Sequence, residues 1–118
     1  MTVEADIFAC LGSLVANCVY PDVAPSGADK PYLTYQQVGG DVVSYIETAL
    51  PNIRNARFQI NTWATTRLVA ADLARQAESA LVVSTTLRAK PLAAPVAIYE
   101  PETQLYGMRQ FFSIWFDV

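Results

Sequence analysis

Between Ala56 and Thr66 the sequence changes its period, and that change constrains the fold more than any other feature. Ala56, Phe58, Ile60 and Thr62 alternate with Arg57, Gln59, Asn61 and Trp63, the pattern of a strand with one apolar and one mixed face. Thr65 and Thr66 can cap a helix. Beyond them Ala70, Leu73, Ala77, Ala80 and Leu81 recur at helical spacing, opposite a polar face of Asp72, Arg75, Gln76 and Ser79. A helix with a single apolar stripe must lie on something, and the strand before it supplies the surface.

The same reading gives the other elements. Val3, Ile7, Leu11, Leu14 and Val15 predict a first helix over Val3–Ala16, with Thr2 as cap and Glu4 and Asp6 at its positive end. Val19 to Pro31, broken by Pro21, Pro25, Gly27 and Pro31, reads as a loop whose Val19-Tyr20 could begin an edge strand. Tyr32–Val38 alternates as a strand, Gly39-Gly40-Asp41 turns the chain, Val42–Glu47 is a further candidate strand, and Leu50-Pro51-Asn52 forms a hinge. The second helix spans Thr66–Val83, Arg88–Pro95 is a link, and Val96–Tyr99 with Tyr106–Phe116 forms a closing hairpin. In the last strand Phe112, Ile114 and Phe116 oppose Phe111, Ser113 and Trp115, so both faces expect a cover. The fold class is α+β: two helices on one face of a mainly antiparallel sheet of about four to five strands, in one domain over 1–118.

With 118 residues the chain is long enough for one sizeable core. It is 53% hydrophobic and only 16% charged, so part of its apolar surface is expected to face another subunit. A net charge of −3 with scattered basic residues argues against a nucleic-acid binder held by phosphate contacts. No apolar run approaches the ~20 residues of a membrane-spanning helix. The acidic N-terminus lacks the basic segment of a signal peptide, so the chain reads as cytosolic when made. Cys10 and Cys18 fall in one helical pattern, about 12 Å apart in rise, and are expected reduced and at least partly buried.

Catalytic chemistry finds little to use. The sequence has no His, which removes His-based triads, His general bases and His metal ligands. Two cysteines do not make a zinc site, and Gly39-Gly40 is an isolated turn, not a phosphate loop. The carboxylate pairs Asp41/Glu47 and Glu100/Glu102 read as turn and surface acids. Tyr32, Tyr35, Trp63, Tyr99, Tyr106 and Trp115 lack a basic groove for base stacking and suit a core or a protein interface. The expectation is a protein that is not an enzyme and uses no metal or cofactor.

Three segments in order carry a family resemblance: Val19-Tyr20-Pro21-Asp22-Val23-Ala24-Pro25-Ser26-Gly27 with Lys30-Pro31-Tyr32-Leu33-Thr34-Tyr35-Gln36; the Arg57–Ala64 strand; and Leu105-Tyr106 with Phe111-Phe112-Ser113-Ile114-Trp115-Phe116. Together they resemble the small tail completion, or tail terminator, proteins of long-tailed bacteriophages and prophages. The resemblance implies a small α+β protein that assembles as a homo-oligomeric ring, a hexamer, in the neck region of the virion tail. It would be built in the bacterial host's cytoplasm, contact the major tail tube protein and a head-tail connector protein, end tube polymerisation, and act by binding. It brings no catalytic residues. From strand parity and loop composition the candidate subunit or tube interface is Pro21, Val23, Pro25, Trp63, Phe111 and Trp115. The alternative reading is a small-molecule or peptide-binding α+β module with the Val19–Pro31 loop as its lid.

Overall fold

A computed structural model of the chain describes residues 2–41 and 53–117. In chain order these form α1 (Val3–Leu11), a 3-10 turn (Gly12–Leu14), β1 (Val19–Pro21), β2 (Tyr32–Gln37), β3 (Ile53–Ala64), α2 (Arg67–Val83), β4 (Lys90–Pro91), β5 (Val96–Glu100) and β6 (Leu105–Asp117). The expected strand Val42–Glu47 and the hinge Leu50–Asn52 lie outside the described residues.

The long strands β3 and β6 pair antiparallel from Ile53↔Asp117 to Ala64↔Tyr106 and form the spine of the sheet. β2 pairs antiparallel with β3, and β1 pairs parallel with β2. On the far side of β6, β5 and β4 pair with its two halves. The sheet therefore has six strands among the described residues, one more than the upper expectation. The addition is β4, in the segment Arg88–Pro95 that reads as a link. Its Pro91 lies at the sheet margin, where a missing N–H breaks no ladder.

The alternation of β3 is a burial pattern. Ala56, Phe58, Ile60, Thr62 and Ala64 are each 2% exposed or less, and register aligns them with Leu33 and Tyr35 of β2 and with Phe112 and Ile114 of β6. Onto this face pack Ile7 and Leu11 of α1 and Leu73, Ala77 and Leu81 of α2. The two helices on one face of a mainly antiparallel sheet are thus present. Thr66 caps α2, its hydroxyl accepting from the Val69 N–H at 3.2 Å, and the buried Thr62 hydroxyl donates to the Ala70 carbonyl at 3.0 Å. Gln110, also buried, donates to Glu78 at 2.7 Å and to the Ala93 carbonyl at 2.9 Å.

The first helix is shorter than its apolar periodicity predicts. It ends at Leu11, and Ala16 and Asn17 take positive φ values of 50° and 66°. The Asn17 N–H donates to the Gly12 carbonyl at 2.7 Å, closing the turn. A Cβ on Gly12 would lie 2.7 Å from the Asn17 side chain, so glycine is what lets the chain fold back there. Cys18 consequently leads into β1 and shares no helix with Cys10. Both thiols are free and half-buried, as expected, but a turn and not a helical rise separates them. Cys10 donates to the Ala80 carbonyl at 3.3 Å, and burial pushes its pKa above the ordinary thiol value.

Candidate functional site

The helices leave the other face of the sheet open, and strand parity decides which side chains it shows. Tyr20, Tyr32, Thr34 and Gln36 come from β1 and β2; Arg57, Gln59, Asn61 and Trp63 from β3; Arg109, Phe111, Ser113 and Trp115 from β6. Trp63, Phe111 and Trp115 are therefore on the outer face, each half-buried.

Trp63 is fixed from two sides. Its indole N–H donates to the Thr34 hydroxyl at 3.3 Å. Its ring lies over Gly107, where a Cβ would come within 2.8 Å of the indole carbons. The Asn61 side-chain oxygen accepts from Arg109 Nε at 3.2 Å. Asp22 and Val23 rise at one rim, Glu100 and Thr103 at the other, and together they bound a groove of about 310 Å³ floored by Thr34, Asn61 and Trp63. Beyond Tyr32 a second hollow of about 220 Å³ lies between Pro25–Ala28 and Thr103–Leu105. Burial and then the nearby Glu100 carboxylate push the Tyr32 hydroxyl above the usual phenol range.

Of the six residues singled out from sequence, Val23 and Trp63 meet at the first groove and Pro25 lines the second. Pro21 ends β1 and is exposed. Phe111 is midway along β6, opposite the groove-lining Gln59, and Trp115 lies further along at the far end of the same face. Over this stretch the main chain is tied by the Leu92 N–H to the Phe111 carbonyl at 2.9 Å and the Trp115 N–H to the Leu87 carbonyl at 3.1 Å. Between the two aromatics, Asn55 donates to the Ser113 hydroxyl at 2.8 Å and accepts the Asp41 N–H at 2.8 Å. The outer face thus carries aromatics at both ends and in the middle, with amides and the guanidinium groups of Arg57 and Arg109 among them. The floor residues Thr34, Asn61 and Arg109 escape a sequence reading that looks for aromatics; the polar parity of β2 and β3 is the signal that carries them.

No group of three or more metal-binding side chains occurs among the described residues. Glu102 sits exposed in the turn after β5, as the sequence suggests, while Glu100, expected in that turn, instead ends β5 and is half-buried. No described helix is long and apolar enough to cross a membrane.

Residues 5–117 match the family described as tail completion protein gp17. The chain belongs to that family. No curated protein matches the chain. Among solved structures, a chain of one described as the virion of a native gene transfer agent particle superposes with a TM-score of 0.63 at 17% identity, covering 98% of this chain and 95% of that one. At that identity the likeness shows a common fold. Membership in the tail completion family gives the protein a structural role in phage tail morphogenesis.

Proposed function

We propose that this tail completion protein acts as one domain of a homo-oligomeric ring, six copies in the reading from resemblance, that caps the tail tube in the neck, ends its polymerisation and presents the surface to which the head joins. Its action is binding and not turnover, its partners being further copies, the major tail tube protein and a head-tail connector protein. The observation that carries the reading is the outer sheet face of a family member, left open by the helices, with Val23 at its rim and Trp63, Phe111 and Trp115 on its central strands. A ring of identical chains has two unlike ends, so one end can bind the last tube ring while the other offers no equivalent site for another. Half-buried aromatics beside satisfied polar groups suit contact with protein.

Deleting the gene in a phage or prophage that carries it tests the reading. Electron microscopy should show filled heads without tails together with free tails of irregular, overlong length, both corrected by the gene in trans. Normal-length tails joined to heads in the deletion would overturn it.

A further inference from the structure

Among the described residues, the large apolar side chains most open to solvent gather along the edges of the sheet and on α2. Ten are exposed, and six of them lie along the two edges of the sheet. On the β1–β2 edge are Phe8, Val23 and Val38, at 39%, 80% and 37% exposure; on the β4–β5 edge are Leu92, Val96 and Tyr99, at 43%, 58% and 46%. The other four are on α2. Phe8 belongs to the first edge because it shares a helix flank with Glu4, beside Tyr35 of β2, while Cys10 on the opposite flank reaches α2.

The two edges are level with one another. Following the register across the sheet, Val19 aligns through Leu33, Thr62 and Met108 with Ala97, and Tyr20 aligns through Thr34, Asn61 and Arg109 with Val96. Their directions are opposite. β1 runs with β2 and β6, against β3 and β5. A second copy, rotated about an axis along the strands, would therefore set its β1 antiparallel to the first copy's β5, with both helix layers on the same side. Glu4 and Asp22 are exposed on the first edge; on the second, Lys90 is exposed, Glu100 ends β5, and the exposed Arg67 stacks over Tyr106 at 5.6 Å. β1 has three residues and its Pro21 has no N–H, so any shared ladder is short and most of the contact is made by side chains.

We propose that the β4–β5 edge of one copy packs head-to-tail against the α1–β1 edge of the next, Leu92, Val96 and Tyr99 meeting Phe8, Pro21 and Val23. The inference rests on the ring reading and assigns its lateral contact to the edges, leaving the open face and the two ends for tube and neck. A heterologous contact of this kind closes into a ring when the rotation between copies divides a full turn, whereas β5 against β5 would stop at a dimer.

The test uses assembled particles from cells making a Cys10→Ser, Cys18→Ser chain that additionally carries Val23→Cys, Val96→Cys, or both. After treatment with a short bis-maleimide, the double variant should shift from a monomer band to a ladder of multimers on a denaturing gel, and each single variant should remain monomeric. Phe8→Cys with Leu92→Cys should repeat the result at a second place along the edges. Dimers from Val96→Cys alone, or monomer from both double variants in particles that contain the protein, would overturn the inference and leave the ring reading standing. Particles assembled normally without the protein would remove the ring reading itself, and the inference with it.

Discussion

Gly107 is small because Trp63 needs the space. On β6 it lies opposite Trp63 in the register, and an added Cβ would sit 2.8 Å from the Thr62 carbonyl as well as from the indole. Gly107→Ala is expected to lower unfolding free energy by about 1–3 kcal/mol, the usual cost of overpacking. Denaturant titration followed by tryptophan fluorescence checks this: the midpoint should fall at unchanged slope. A second residue sets a pH limit. Burial first, and then the carboxylates of Glu4 and Asp22, raise the Tyr35 hydroxyl above the ordinary phenol value. The folded state then holds this proton more tightly than the unfolded one, so the contribution is complete below about pH 10 and is lost as pH rises through the folded value. Stability measured between neutral and strongly alkaline pH should decline from about pH 10 upward, and less steeply in Tyr35→Phe.

At the scale of elements, what could be read from sequence was what local periodicity encodes. The two-faced β3, the Thr66 cap, α2 and the β5–β6 hairpin each follow from spacing within a single segment. The end of α1 at Leu11 did not, because the apolar spacing continues through Leu14 and Val15 while Gly12 and Asn17 turn the backbone. Nor did β4, whose two residues form a strand only because β6 lies beside them. The candidate site was legible as parity, which put Trp63, Phe111 and Trp115 on one face. Its division into a groove at one end and the aromatics beyond it depends on pairing between distant strands. The loop after β1 stands between these cases: Asp22 is tied to the Tyr35 carbonyl at 2.8 Å, while Val23 is 80% exposed. A side chain so open contributes little to folding, and Val23→Asp should change stability by less than about 0.5 kcal/mol. In the proposed ring the same charge would be desolvated against a neighbour. Thermal unfolding should therefore be near wild type while the yield of joined particles falls; normal yield would reduce the loop to a connector.

For the whole molecule, strand direction sets which surfaces face which partners. β6, with 13 residues, spans about 43 Å at ~3.3 Å per residue, most of the molecule's 51 Å long dimension. With the helices covering one face and the edges assigned to neighbouring copies, the outer face and the two ends remain for the tube and the neck. Phe111 distinguishes these roles. It is on the outer face away from both edges, and the hydrogen bond from Leu92 that organises its surroundings uses its carbonyl and not its ring. Replacing it by Asp removes a half-buried ring without unpairing the strand, so the chain should fold and retain the mass distribution of wild type in light scattering. A carboxylate there would have to be desolvated without a partner when the face is covered, which costs far more in an interface than at an exposed position. Phe111→Asp is therefore expected to give far-UV circular dichroism like wild type, an unchanged oligomer mass, and at least a tenfold loss of joined particles, about the factor that 1.4 kcal/mol of binding free energy represents. Joined particles at wild-type yield would show that the open face meets solvent in the tail and that the ends alone carry the contacts.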